Sequence, residues 1–230
     1  MTTKDLRAPK RKLVPEMEGA TARWYARNRA SANQLAEYRR QAARLAEGLP
    51  ADAAVLEVAP GPGYQAIELA RLGAYRVTGL DVSHTFVELA GEAARRAGVT
   101  VAFRQGDVHE LPFRADSFDL VICQAAFKNF TRPVRALDEM HRVLRPGGRA
   151  VIQDLRADAS RTDIEREVAR MGIRGLDAFW TRSALGWLRR RAVTADVFAR
   201  LAAESAFGGA EIEPEGLVGL EVRLSRAATA

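Results

Sequence analysis

Five short apolar runs that alternate with helical segments constrain the fold of this chain more than any other feature. The runs are continuous rather than alternating apolar with polar, which is typical of strands buried on both faces of a sheet. The segments between them have the lengths and capping residues of helices. Strands that alternate with helices of this kind form parallel sheets. The sequence therefore predicts an α/β fold whose first five strands cover 53–59, 75–82, 99–107, 117–125 and 149–155.

Both ends of the chain depart from this alternation. Residues 1–19 carry five basic side chains with little apolar periodicity, so we expect a flexible basic arm. The rest, 20–230, is expected to form a single domain that begins with one long N-terminal helix within 20–50. Residues 156–193 carry two helical patterns and are predicted as an insertion over one end of the sheet, where inserted segments commonly recognise substrates. Two closing strands are expected within 210–225.

The formal charge of +6 lies in the first 50 residues, where 11 basic side chains outnumber 5 acidic ones. Residues 51–230 carry 24 of each sign and are neutral overall. Because the excess lies outside the predicted sheet, nucleic acid is not an expected partner of the main body.

Composition and length exclude several classes of protein. A hydrophobic content of 47% is enough for a full core, so global disorder is excluded. No apolar stretch reaches the roughly 18 residues of a membrane-spanning helix, and the N-terminus lacks the apolar segment of a secretory signal. The single cysteine, Cys123, can form neither an internal disulfide nor a thiolate metal cluster. We therefore expect a cytoplasmic monomer or homodimer with no metal and no membrane partner.

The strand-to-helix turn at 55–64, VLEVAPGPGY, is the strongest candidate for a ligand site. Gly61 and Gly63 let the backbone turn sharply and let a ligand approach without interference from a Cβ atom. The turn follows a strand, and open parallel sheets bind ligands at the carboxyl ends of their strands. The first N–H groups of the next helix are also free to bind an anion. By itself such a turn fits dinucleotide and mononucleotide sites alike.

Three carboxylates at successive strand ends narrow the choice of ligand. Asp81 ends the second strand, where it can accept hydrogen bonds from both hydroxyls of a ribose. Asp107 ends the third strand and can accept from an adenine amino group, while the Val108 N–H can serve a ring nitrogen. Glu57, on the first strand, suits a cationic amino group. This set argues against a pyrophosphate and for a nucleoside ligand that carries an ammonium group.

The ordered series VLEVAPGPGY, VTGLDVS, QGDVHELPF, SFDLVICQAAFKNF and VLRPGG within 53–155 resembles the class I S-adenosylmethionine-dependent methyltransferases of the small-molecule type. The resemblance implies a doubly wound, Rossmann-like sheet of seven strands in the order 3-2-1-4-5-7-6, with strand seven antiparallel. It also implies S-adenosylmethionine as the cofactor. By the same resemblance the methionine part contacts Glu57, Ala59, Gly61 and Gly63, the ribose contacts Asp81 beside Val82, the adenine contacts Asp107 and Val108, and the sulfonium side contacts Gln124 and Ala125. Ala59 and Pro60 depart from the family, whose turn is richer in Gly or Cys.

Residues outside that series are further candidates, each with a plain packing alternative. Tyr25 and Arg29 lie on the N-terminal helix, which in similar proteins closes over the cofactor as a lid, and both are candidates to reach the methionine carboxylate. The sequence shows no clear His–Asp pair that could act as a general base. His109 and Lys128 are the remaining candidates for proton transfer. The candidate acceptor pocket consists of Phe127, Lys128, Phe179, Trp180 and Trp187, although aromatic residues at helical spacing also fill cores.

The function that these patterns favour is methyl transfer from S-adenosylmethionine to a small-molecule acceptor. Such a displacement mainly requires that two reactants are held in line and that water is excluded. Carbon, nitrogen, oxygen and sulfur acceptors all remain open. One alternative is an enzyme of the same fold that binds the cofactor and catalyses other chemistry, such as a cyclisation. Another is an RNA or protein methyltransferase that uses the basic arm. A nicotinamide-dependent oxidoreductase is disfavoured, because no second catalytic set is present.

Overall fold

The computed structural model of the chain describes residues 8, 16–73, 75–172 and 175–228. Its strands form one sheet in the order β3-β2-β1-β4-β5-β7-β6. The strands are β1 (Ala54–Val58), β2 (Arg76–Asp81), β3 (Ala102–Gln105), β4 (Phe118–Gln124), β5 (Leu144–Leu155), β6 (Glu211–Glu215) and β7 (Gly219–Ser225). Strands β1 to β5 pair in parallel, and β7 runs antiparallel between β5 and β6. The predicted fold class and strand order are confirmed.

Helices cover both faces of this sheet. They are α1 (Gly19–Asn28), α2 (Ala32–Ala46), α3 (Tyr64–Arg71), α4 (His84–Ala97), α5 (Pro133–Val143), α6 (Arg161–Arg170), α7 (Gly175–Arg189) and α8 (Ala195–Glu204), with a short 3₁₀ turn at Phe127–Asn129 after β4. The two helices predicted in the insertion are thus present as α6 and α7.

The continuous apolar runs reflect burial on both faces, as β1 shows. Val55 packs into the cluster that contains Ala42 of α2 and Leu69 of α3. Leu56 and Val58 point to the other face, into the larger cluster with α5 and α8. Because successive strand residues alternate between faces, Glu57 lies on the same face as Val55, towards α2 and α3.

The single N-terminal helix predicted within 20–50 is two helices. Helix α1 ends at Asn28, and the Ser31 hydroxyl accepts a hydrogen bond from the Gln34 N–H at 3.4 Å, which caps a new helix. Serine is among the strongest helix N-caps, because its side chain satisfies an amide that has no partner within the helix. The prediction was wrong at this point, since the capping signal of Ser31 lies inside an otherwise helical pattern.

The predicted flexible arm, 1–19, lies mostly outside the described residues, but its last part is bound to α4. The Ser83 hydroxyl donates to the Met17 carbonyl at 2.7 Å. The Glu18 carboxylate accepts from the backbone N–H groups of His84 at 2.9 Å and Thr85 at 3.0 Å. Hydrogen bonds from the Thr85 side chain and backbone lower the pKa of Glu18. A residue from the N-terminal segment therefore caps α4, whose first amides have no partner within the helix.

Two glycines with nearly the same left-handed backbone separate the effect of packing from the effect of backbone strain. Gly63 has φ +77°, and a Cβ atom there would lie 2.6 Å from Phe103 Cζ and 2.8 Å from Ala90 Cβ. Gly73 has φ +79°, with no atom of the described residues within 4 Å of the same position. A left-handed alanine costs about 1–2 kcal/mol at either site, and overpacking adds about 1–3 kcal/mol at Gly63 alone.

We therefore expect Gly63→Ala to lower the free energy of unfolding clearly more than Gly73→Ala does, as measured by urea denaturation. Equal losses in the two variants would contradict the packing role of Gly63.

Candidate functional site

The loop between β1 and α3 is held in a left-handed conformation and fastened to the end of β2. Ala59, Gly61 and Gly63 have φ of +54°, +54° and +77°. The Gly61 N–H donates to Asp81 Oδ2 at 2.9 Å. Ala125, which follows β4, also has φ +54°. Left-handed alanines are uncommon and strained, and these two stand directly after adjacent strands at the carboxyl edge of the sheet.

Gly61 and Gly63 serve different purposes in this loop. At Gly63 a side chain would collide with Phe103 of β3 and Ala90 of α4, so its small size is required by packing. At Gly61 a Cβ atom would meet only the Tyr25 ring, at 3.9 Å. The backbone of Gly61 therefore faces a space between the loop and α1. Of the two glycines predicted to contact a ligand, Gly61 is the one whose surroundings leave room for it.

Asp81 is buried at the end of β2 and binds two backbone amides. Besides Gly61, the Ser83 N–H donates to its Oδ1 at 2.9 Å. Burial raises the pKa of Asp81 despite these hydrogen bonds, which act in the opposite direction. Each carboxylate oxygen has a second lone pair, so the predicted acceptance of ribose hydroxyls remains compatible with this geometry. The neighbouring Val82 side chain is 45% exposed.

Glu57 is a buried carboxyl with an unused oxygen. Its side chain is 3% exposed, and its Oε2 has no hydrogen-bond partner among the described residues. Burial raises its pKa to about 8, the Ala66 amide opposes this shift, and the charge of Asp81 adds to it. An unsatisfied buried polar atom costs free energy. The arrangement therefore fits a donor group that is brought by a ligand, as the resemblance implied.

Arg29 and Glu57 both influence the hydroxyl of Tyr38. The Nε of Arg29 donates to the Tyr25 hydroxyl at 3.1 Å, and its guanidinium carbon stands 5.3 Å from the Tyr25 ring centroid. Burial raises the pKa of Tyr38 to about 12, with Arg29 opposing the shift and Tyr25 and Glu57 adding to it. No carboxylate in the described part of the chain forms a salt bridge with Arg29.

The site therefore offers a buried carboxyl and a guanidinium that both influence the Tyr38 hydroxyl. This pair complements the amino and carboxylate groups of an α-amino acid. Sequence reasoning missed Tyr38, because its position towards Glu57 follows from the break between α1 and α2.

The structure forms a His–Asp pair that the sequence did not reveal. His109 Nδ1 lies 2.6 Å from Asp107 Oδ1, which also accepts the His109 N–H at 2.9 Å. The Arg132 N–H, which can only donate, points to His109 Nε2 at 3.2 Å. Nδ1 therefore carries the proton and donates it to Asp107. Burial alone would raise the pKa of Asp107, but its hydrogen bonds from the His109 backbone and side chain lower it.

Both ring nitrogens of His109 thus take part in hydrogen bonds. These contacts fit a residue that orients Asp107, and they fit less well the predicted role of His109 in proton transfer. Val108, between them, packs its side chain into the core.

Gln124, at the end of β4, belongs to a hydrogen-bonded network of side-chain amides and carboxylates. Its Nε2 donates to Gln41 Oε1 at 3.1 Å and to Gln153 Oε1 at 2.7 Å. The Nε2 of Gln153 in turn donates to Glu215 Oε1 and to Glu221 Oε2, both at 2.8 Å. Burial and the charge of Glu221 raise the pKa of Glu215 to about 7. This network lies at the carboxyl ends of β4 and β5, and Gln124 is its one member that was predicted as a site residue.

Lys128 and Phe127 make contacts typical of packing. The Lys128 ammonium donates to the Ala125 carbonyl and to Asp154 Oδ1, the latter at 2.8 Å. Its backbone N–H donates to Asp154 Oδ2 at 2.9 Å. Phe127 stacks on Phe198 of α8 with ring centroids 4.5 Å apart. The buried ion pair fixes the 3₁₀ turn after β4, so the predicted roles of both residues towards an acceptor gain no support from their contacts.

The aromatic residues of the insertion are exposed. Phe179 and Trp187 line a cavity of about 410 Å³ between α6 and α7. Trp180 does not line it, and its side chain is 65% exposed. Of the three residues that were predicted as one pocket, Phe179 and Trp187 therefore line this cavity and Trp180 does not.

The sheet order, the glycine turn and the acidic residues at the strand ends define a Rossmann-like fold of the class I methyltransferase type. A family model described as "Methyltransferase domain" matches residues 56–152. The demethylmenaquinone methyltransferase of Deinococcus radiodurans is 39% identical over 107 residues, which are 46% of this chain and 44% of that protein. The 27-O-demethylrifamycin SV methyltransferase of Amycolatopsis mediterranei is 33% identical over 132 residues, 56% of this chain and 48% of that protein. Residues 56–152 are thus similar to methyltransferase domains, and the chain spans about half the length of the curated relatives it matches.

Solved structures confirm the fold over most of the chain. A SAM-dependent methyltransferase from Aquifex aeolicus has a TM-score of 0.66 at 15% identity and covers 88% of this chain and 97% of its own. The [4+2]-cyclase SpnF has a TM-score of 0.56 at 21% identity and covers 83% of this chain and 81% of its own. Since one of these neighbours is a cyclase, the fold alone does not decide the chemistry.

Burial of Glu57 predicts how stability depends on pH when no cofactor is bound. Burial raises its pKa from an ordinary value of 4.5 to about 8 in the folded chain, so the folded state holds the proton more tightly. This contribution to stability is complete below about pH 4.5 and is lost as the pH rises through about 8. Glu57→Gln removes it.

We expect the free energy of unfolding to fall less steeply in Glu57→Gln than in the wild type from about pH 5 to about pH 9, by up to about 1.4 kcal/mol per pH unit. Urea denaturation across that range measures the slopes, with Glu110→Gln at an exposed position as the control. Parallel curves for Glu57→Gln and wild type would contradict the buried, protonated carboxyl.

Proposed function

We propose that this chain transfers a methyl group from S-adenosylmethionine to a small-molecule acceptor. The observation that carries the proposal is the buried Glu57 carboxyl, whose Oε2 has no hydrogen-bond partner among the described residues, together with the Arg29 guanidinium, which also influences Tyr38. Together they complement the amino acid end of the cofactor. The family match over residues 56–152 supports the same assignment.

The remaining cofactor contacts follow from the strand ends. Asp81 is fixed by the amides of Gly61 and Ser83, so its remaining lone pairs are held ready for the ribose hydroxyls. Asp107 is held by His109, leaving its second oxygen for the adenine amino group. When bound, the cofactor supplies an activated methyl group on a sulfonium. In this assignment the protein provides alignment and keeps water out, the two requirements of an in-line displacement.

The acceptor side of the proposed site is the network of side-chain amides and carboxylates that links Gln124 to Glu215. It lies at the carboxyl ends of β4 and β5, where an open sheet binds its ligand. Gln153 donates to Glu215 Oε1, which keeps Glu215 Oε2 available to accept from a hydroxyl or amine, whereas both oxygens of Glu221 are used by Gln153 and Arg223. The relatives named above act on demethylmenaquinone and on 27-O-demethylrifamycin SV, so we propose a small organic acceptor. We further propose that the protein works in the cytoplasm as a monomer or homodimer, without nucleic acid.

Binding of S-adenosylmethionine should release a proton from Glu57. At about pH 6 both Glu57 and the cofactor's amino group are protonated before binding, because their pKa values lie near 8. Pairing with an ammonium requires the ionised carboxylate, so about one proton leaves. Calorimetric titrations in buffers of different ionisation enthalpy count the protons.

In the matched variant, Glu57→Gln, the released proton disappears and binding weakens at least tenfold. Binding without proton release in the wild type would contradict the role of Glu57. No binding at all would contradict the proposed cofactor.

Methyl transfer should appear on small organic acceptors and not on macromolecules. The full chain is incubated with isotope-labelled S-adenosylmethionine and, in parallel, with quinols, phenols, amines, thiols, total RNA and total protein. Mass spectrometry then locates the label. We expect labelled small-molecule products that are formed equally by a variant lacking residues 1–15. Label on RNA that requires residues 1–15 would favour the RNA-modifying alternative instead.

A further inference from the structure

Helix α7 presents an apolar stripe that nothing in the described part of the chain covers. The stripe consists of Leu176, Phe179, Trp180 and Trp187, whose side chains are 78%, 54%, 65% and 50% exposed. The positions i, i+4 and i+11 bring Leu176, Trp180 and Trp187 onto one face of the helix. Ala178 of this helix is 5% exposed, and α7 packs against α6. Large exposed apolar patches on a folded chain mark interaction sites.

Positive charge borders this stripe. The arginines Arg161, Arg182, Arg189 and Arg190 line the cavity between α6 and α7, together with a single acidic residue, Glu165. Glu165 is already paired with Arg161, at 3.2 Å. Arg191 stands over the Trp187 ring, with its guanidinium carbon 5.3 Å from the ring centroid. A partner for this face must therefore combine an apolar interior with negative charge.

Two parts of this protein could in principle cover the stripe: the N-terminal segment or a second copy of α7. Both would bring positive charge close to the arginines beside the stripe. The N-terminal segment 1–15 contains five basic residues and one acidic residue, so it would place like charges against the arginines. A second copy that packed stripe against stripe would bring the arginines of both copies together. Like charges at close range are repulsive, so charge favours an anionic partner over either occupant.

We propose that α7 docks on an anionic lipid surface. In this arrangement the stripe enters the boundary between headgroups and acyl chains, and the bordering arginines contact lipid phosphates. Tryptophans and basic residues around an apolar face are typical of helices that lie in a membrane interface. The expectation of no membrane partner rested on the lack of a spanning segment. None of the described helices can cross a membrane, but a helix that lies in the interface has no such length requirement.

Vesicles of defined composition test the proposal with the full chain. Unilamellar vesicles are made of phosphatidylcholine alone or of phosphatidylcholine with one-third phosphatidylglycerol, and binding is followed by sedimentation and by tryptophan emission. We expect at least tenfold tighter binding to the anionic vesicles, a blue shift of the emission, and weaker binding at high salt.

Matched substitutions assign the binding to the stripe. Trp180→Ser with Trp187→Ser should weaken binding at least tenfold, while Trp24→Ser, at a residue of α1 that is 59% exposed, should not. Arg182→Glu with Arg190→Glu should weaken binding at least tenfold, while Arg95→Glu with Arg96→Glu on α4 should not. Thermal unfolding and cofactor binding at wild-type levels show that the variants are folded.

Four outcomes would overturn the proposal. The first is that the chain does not bind anionic vesicles, which would leave an acidic protein as the partner of this face. The second is that the double tryptophan variant binds them as well as wild type does. The third is that deletion of residues 1–15 abolishes binding while the tryptophan substitutions leave it intact. The fourth is a dimer in solution that dissociates when Trp180 and Trp187 are replaced.

Discussion

The Asp81 carboxylate connects the segments on which the proposed site depends. One of its oxygens accepts the Gly61 amide of the β1–α3 loop, and the other accepts the Ser83 amide at the start of α4. Ser83 in turn binds the Met17 carbonyl of the N-terminal segment. Two strand ends and the beginning of α1 are thereby fixed around a single buried acid. Because charged hydrogen bonds of this kind are stronger than neutral ones, the carboxylate holds a loop that contains strained, left-handed residues.

Burial gives a physical reason for the zwitterionic ligand that we propose for the site. Glu57 lies on the α2 side of β1, where apolar neighbours keep water away and raise the pKa of the carboxyl. Arg29 also influences Tyr38, and its guanidinium contacts the Tyr25 ring and hydroxyl. In the free chain each of these groups is only partly satisfied. A zwitterion that pairs with both would remove that cost, which is a physical reason for the preference for an amino acid group at this point.

The two ends of the sheet edge divide the chemistry between them. On the β1–β3 side, acids at strand ends are oriented by backbone amides and by His109, which suits the recognition of a nucleoside. On the β4–β7 side, Gln124 and Gln153 link to Glu215 and Glu221. Lys128, by contrast, is used to neutralise Asp154 inside the fold. On the proposed acceptor side, Glu215 is therefore the acid whose pKa lies near neutrality, at about 7. The sequence had favoured His109 and Lys128 for proton transfer instead.

The sequence by itself indicated the alternating strands and helices, the glycine turn and the acids at the strand ends, because apolar runs and glycine turns are local signals; the sheet order followed from the family resemblance of these motifs. Tertiary structure decided what each side chain does there. The His109–Asp107 pair, the position of Tyr38 and the commitment of Lys128 all depend on distances between separate elements, which no local pattern encodes. The break at Ser31 was also missed from the sequence. The residues on both sides of it have a helical pattern, and the structure shows that Ser31 caps a second helix. The exposure of the α7 stripe was equally beyond the sequence, because spacing predicts an apolar face but not whether another element covers it.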